Sequence, residues 1–157
     1  MNAGKHLRHS RQGLERNLLR LSLIGPLLLV ATQAQAGAAC VVAKRLGDSL
    51  AIEWVAAPEE SASSALAKAG QRLIEQGYRT KGQDVHAQAS SELPHAYMVI
   101  VKTQYTTAIG HPRTSYGCGY SARSAAEAEH SAVYDLRNYS WGWKPAFGYE
   151  VIKALRY

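Results

Sequence analysis

Between residues 50 and 56, Leu50, Ile52, Trp54 and Ala56 alternate with Ala51, Glu53 and Val55. A period of two predicts a strand with one inner face. The period then lengthens: Ala62, Ala65, Leu66, Ala69 and Leu73 recur at helical spacing, with Ser64, Lys68, Gln71, Arg72 and Glu75 on the other side. That is an amphipathic helix. Pro58 or Ser61 marks its start, and Glu59 and Glu60 put acid charge at the positive end of the helix dipole. Gly77 predicts its end as a left-handed residue, with Tyr78 folding back on Leu73. Ahead of the first strand, residues 40–43 are β-prone, and Leu46-Gly47-Asp48-Ser49 reads as a turn.

The second half repeats the alternation of periods. Residues 85–89 alternate weakly, and residues 97–101 are apolar on both faces, as a central strand is. A connection at residues 109–113 leads to a returning strand over 115–121. Tyr116, Cys118 and Tyr120 share one of its faces, while Gly117 and Gly119 leave the other bare enough for a backbone or helix to come close. Ser124 and Glu127 form a capping box ahead of Ala128, Ala132, Val133 and Leu136. A loop over residues 140–148 precedes a last strand in which Tyr149, Val151 and Leu155 are expected to share a face. The predicted class is α+β in the order ββαβββαβ, with two helices on one face of a mixed, mostly antiparallel sheet. Ser61, Ala62, Ala65, Ala69 and Leu73 recur as Ser124, Ala125, Ala128, Ala132 and Leu136 at a constant offset of 63. The offset predicts two strand–helix halves; chance alignment of two Ala-rich helices is the other reading.

Charge changes the picture through its placement. The net of +6 suggests an anionic partner, but Lys5, Arg8, Arg11, Arg16 and Arg20 fall in the first 20 residues. An apolar run over residues 21–31 follows, then Thr32-Gln33-Ala34-Gln35-Ala36. A basic segment, a short apolar core and small residues at the third and first places before a cut form a secretory signal peptide. The apolar run is too short for a membrane span, which needs about 20 residues. Residues 1–36 are therefore expected to be removed, leaving 37–157 as a single domain with no stable span. That domain holds 13 basic and 11 acidic residues, a net of +2. This is an ordinary surface and argues against nucleic acid as partner.

Export bears on the two cysteines. In an oxidising compartment Cys40 and Cys118 most simply form one bridge. Two other readings stand beside it: Cys40 as a lipidated residue, though Gly37 occupies the place where a Leu-like residue is wanted, and Cys118 as a nucleophile with a histidine base.

The run Tyr116-Gly117-Cys118-Gly119-Tyr120-Ser121, followed by Ser124, Glu127-Ala128 and Ala132, resembles a motif of small exported bacterial domains of unknown function. In those a Gly-Tyr-Ser strand end leads into a Ser/Ala-rich helix. The resemblance covers about a fifth of residues 37–157 and implies an exported α+β module, with nothing about chemistry.

Patterns of catalysis are sparse. His86, His95, His111 and His130 show no metal-ligand spacing, and no phosphate loop or nucleophile elbow occurs, so neither a metal nor a cofactor is expected. The concentrated feature is aromatic. Tyr134, Tyr139, Trp141, Trp143, Phe147 and Tyr149 crowd one window together with Arg137 and Lys144. Such rings either close a lid over the sheet or form a binding surface of Arg137, Tyr139, Trp141, Trp143, Lys144 and Phe147. If the loop is extended, Trp141 and Trp143 point to the same side. The leading expectation is a non-enzymatic binding module of the bacterial envelope or exterior, its partner a cell-wall glycan or a protein, as for an inhibitor or immunity factor. The alternative is a small secreted hydrolase or toxin using His111, His130 or Cys118.

Overall fold

The computed structural model describes residues 37–80 and 82–157. The signal-peptide reading of residues 1–36 lies outside them. Strands β1 (Gly37–Arg45) and β2 (Asp48–Ala57) form a hairpin, and helix α1 (Ala62–Glu75) leads to β3 (Asp84–Ser91). The pattern then repeats as hairpin β4 (Tyr97–Thr106) and β5 (Pro112–Ser121), helix α2 (Ala125–Tyr139) and strand β6 (Glu150–Arg156). A 3₁₀ turn, Pro145–Phe147, interrupts the last connection. All described residues belong to one compact unit.

The α+β class and the order ββαβββαβ follow the sequence pattern. The sheet differs from expectation. It divides into two three-stranded sheets, β2-β1-β3 and β5-β4-β6, and every pairing is antiparallel. The helices do not share a face: α1 covers the outer side of the first sheet and α2 that of the second. The reason lies in β1 and β4, which are apolar on both sides. Ala39, Val41 and Ala43 bury against α1, and Val99 and Val101 against α2. Ala38 and Cys40 meet Met98, Ile100 and Cys118 between the sheets. One sheet with both helices on one side would leave that second apolar face in water.

The halves are structural copies. Cys40 pairs with Trp54 as Ile100 pairs with Cys118. The register slips immediately after Cys40 against β3, and immediately after Ile100 against β6. The second slip makes Ile152 an extra residue. It sends Leu155 into the core between the sheets and leaves Val151 opposite Val101 on the α2 side, so Val151 and Leu155 do not share a face.

Local chemistry sets both helix starts. The Ser61 and Ser124 hydroxyls accept from the Ser64 and Glu127 amides, at 3.1 and 3.2 Å. Glu59 and Glu60 precede the first helical turn; the carboxylate on the α1 N-terminus belongs to Glu92, which accepts from the Ala62 amide at 3.1 Å. The capping box of α2 is half formed, because Glu127 turns to the Ser121 hydroxyl and Arg123. At the end of α1, Gly77 (φ 91°) donates to Ile74 and Tyr78 to Leu73, the paired bonds of a glycine cap.

The Cys40–Cys118 bridge forms, with Cα atoms 6.5 Å apart, and ties the central strand of one sheet to an edge strand of the other. It leaves no free thiol among the described residues for a nucleophile or a lipid. Helix side chains cap the equivalent edges. Arg72 donates to the Trp54 carbonyl at 3.1 Å, and Asp135, at the same place in α2, accepts from the Cys118 amide at 2.8 Å. Asp135 also accepts from Gln88 of β3 at 2.9 Å, so one carboxylate joins the two sheets. Burial raises its pKa against the pull of Gln88, the Cys118 amide and the Lys44 charge. Burial likewise lowers the Lys44 ammonium, with Asp135 opposing.

A raised carboxyl pKa means that the folded state holds its proton more tightly than the unfolded chain. This contribution is fullest at low pH and fades as pH rises through the folded pKa. Asp135→Asn should therefore gain stability relative to wild type as pH rises from the acid range to neutrality. Asp135→Ala, which strands the Cys118 amide and Gln88, should cost about 1–3 kcal/mol at neutral pH. Denaturant melts across pH check both.

Candidate functional site

The two halves differ in where the helix rests. Helix α1 packs across all three strands of its sheet, whereas α2 sits on β5 and β4 and barely reaches β6. Gly117 and Gly119 cause the shift. A Cβ at Gly119 would overlap the Ala128 carbonyl and the Ala132 amide, and one at Gly117 would overlap the Ala132 carbonyl. The backbone of α2 therefore lies directly on β5. In the first half the places of Gly119 and Gly117 are taken by Val55 and Glu53, and α1 extends over β3 to Val85.

Displacing α2 toward β5 opens a cleft of about 420 Å³ on its other flank. Helix α2 contributes His130, Val133, Tyr134 and Arg137; the connection to β6 contributes Trp143, Pro145, Gly148 and Tyr149. That size falls within the range of small-molecule sites, roughly 300–1,000 Å³. A larger hollow of about 700 Å³ on the opposite flank shares His130 and Tyr134 and is edged by the Ser121–Glu127–Arg123 network.

The cleft walls are held rigidly. The Trp143 amide donates to the Ser140 carbonyl at 3.0 Å, closing a turn in which Gly142 has φ 89°. The turn separates the two tryptophans. Trp143 goes inward, 8% exposed, and its indole N–H donates to Thr103 at 3.1 Å and to the Gly148 carbonyl at 3.2 Å. Trp141 stays outside, 89% exposed, with its carbonyl accepting from the Tyr105 hydroxyl at 3.1 Å. The expectation that both indoles share a side assumed an extended loop; the positive φ of Gly142 reverses the chain between them. Tyr149 donates to Glu129 at 2.9 Å, which fixes the far wall, and that carboxylate holds the phenol above its usual pKa.

The six expected binding residues do not form one surface. Arg137 and Trp143 line the cleft. Trp141 and Lys144 stand exposed on the loop, and Phe147 packs against Tyr105 with ring centres 5.8 Å apart. Tyr139 turns toward the first half, where Lys44 sits 5.1 Å over its ring. The aromatic window did not reveal Val133 or Pro145, nor that His130, Val133, Tyr134 and Arg137 make a second stripe at helical spacing. His130 is not paired with Glu127, which engages Arg123 and Ser121. His111 lies exposed at the β4–β5 turn.

Comparison with family models, curated proteins and solved structures finds no match. The geometry alone carries the functional reading.

Gly119→Ala should act on fold and site together. Overlap with the α2 backbone should cost about 1–3 kcal/mol. It should also push α2 toward β6 and narrow the cleft. A melt measures the first effect, and the Trp143 indole N–H resonance should move with the second.

Proposed function

We propose that the chain is an exported, non-enzymatic binding module of a bacterial envelope or exterior, and that its cleft takes a ring-bearing ligand of the cell-wall glycan type. The observation that carries this is the cleft beside α2, opened by a glycine pair and walled by aromatic rings that are hydrogen-bonded in place. Such walls offer apolar faces to a sugar ring and polar edges to its hydroxyls. His130 lines the cleft, and among the described residues it hydrogen-bonds no hydroxyl that it could activate. This favours holding a ligand over reacting with it. Export is supported by the three-part pattern of residues 1–36 and by a buried disulfide; no described helix is long and apolar enough to cross a membrane.

Retention on purified cell wall tests the reading, with Tyr149→Ala as the variant because its ring is 43% exposed and contributes little to the core. Wild type should be retained and Tyr149→Ala should not. Equal retention of both overturns the cleft as the site. A protein partner is the second reading, favoured by Trp141, which stands 89% exposed on a fixed turn as an interface anchor would. It requires that Trp141→Ala, with the cleft intact, abolish capture of the partner from periplasmic extract. N-terminal sequencing of exported material should begin at Gly37.

A further inference from the structure

Most cations of the domain are already engaged. Lys68, Arg72, Lys102 and Arg123 pair with carboxylates, and Lys44, Lys153 and Arg156 sit over aromatic rings. Among the described residues Arg45, Arg79, Arg113, Arg137 and Lys144 have no such partner; of these Arg137 lines the cleft, and Lys144 follows Trp143 in the sequence. Neither nearby acid pairs with Arg137. Asp135 is held by Gln88 and the Cys118 amide, and Glu129 accepts from Tyr149. The cleft therefore offers one guanidinium without a carboxylate partner, together with Trp143 and Tyr149.

From this we infer that the ligand is a sugar bearing a carboxylate, such as a uronic acid, whose acid group is received by Arg137; the inference rests on the glycan reading of the cleft. A guanidinium fork matches a carboxylate through two parallel hydrogen bonds, and Arg137, Trp143 and Tyr149 line the same cleft. The volume fits a ring and its substituents, not a folded partner.

The test titrates the protein calorimetrically with methyl β-glucuronide and with neutral methyl β-glucoside. Wild type should bind the acid about tenfold more tightly, the worth of one charge-assisted contact. Arg137→Gln should bind both probes equally, with an unchanged melt because Arg137 is exposed. Added salt should shrink the preference. Equal affinity of wild type for the two probes, or a preference that survives in Arg137→Gln, overturns acid recognition while leaving the cleft a sugar site. Failure of wild type to bind either probe overturns the glycan reading together with this inference.

Discussion

Cys118→Ser should be the most destabilising single change, by about 4–5 kcal/mol, with a fall in Tm on the order of 15 °C. The bridge spans 78 positions in sequence, so it removes a large loop's freedom from the unfolded chain. The new hydroxyl need not be stranded, because the Tyr120 hydroxyl lies 3.6 Å from the Cys118 sulfur. The loss therefore reports the crosslink and not a buried polar defect. The freed Cys40 is fully buried and should react with a thiol probe only on unfolding. Wild type denatured without reductant should show no free thiol; two thiols would refute the bridge and reopen a nucleophilic role for Cys118.

The tryptophans should separate sharply. Trp143→Ala should cost about 3–5 kcal/mol, since the indole fills the core beneath α2 with Val101, Tyr105 and Leu136. It would also leave Thr103 and the Gly148 carbonyl without their shared donor. Trp141→Ala should change stability by no more than about 0.5 kcal/mol, because that ring is in water. Paired melts check both, and fluorescence adds a second reading: deleting Trp143 should remove blue-shifted emission, and deleting Trp141 red-shifted emission. Equal costs would show that the 140–143 turn is not as described. The loop thus buries one indole, as a lid would, and leaves the other in water.

Elements with local causes were legible in the sequence. The helices announced themselves through the spacing of Ala65, Ala69 and Leu73 and of Ala128, Ala132 and Leu136, and their ends through Ser61, Ser124 and Gly77. The offset of 63 pointed to two halves, and the structure adds matched registers and matched slips. The division into two sheets was half visible: residues 97–101 read as apolar on both faces, but the same property in Ala38 to Ala43 was masked by small side chains that carry little pattern. Features that depend on one backbone angle or on comparing neighbours were not legible. The positive φ of Gly142 parts Trp141 from Trp143, and the extra residue Ile152 parts Val151 from Leu155. The bare face of Gly117 and Gly119 signalled close approach of a helix. That the approach uncovers β6 emerges only beside the first half, where Val55 and Glu53 stand in their place.

The most direct test of the cleft as a ligand site is chemical-shift mapping of the wild-type protein with soluble cell-wall glycan fragments. The account predicts perturbations at His130, Val133, Arg137, Tyr149 and the Trp143 indole N–H, with α1 and the first sheet silent. Perturbations confined to the hollow beside Leu93 and Arg123, or to the first half, would contradict it, as would an unchanged spectrum.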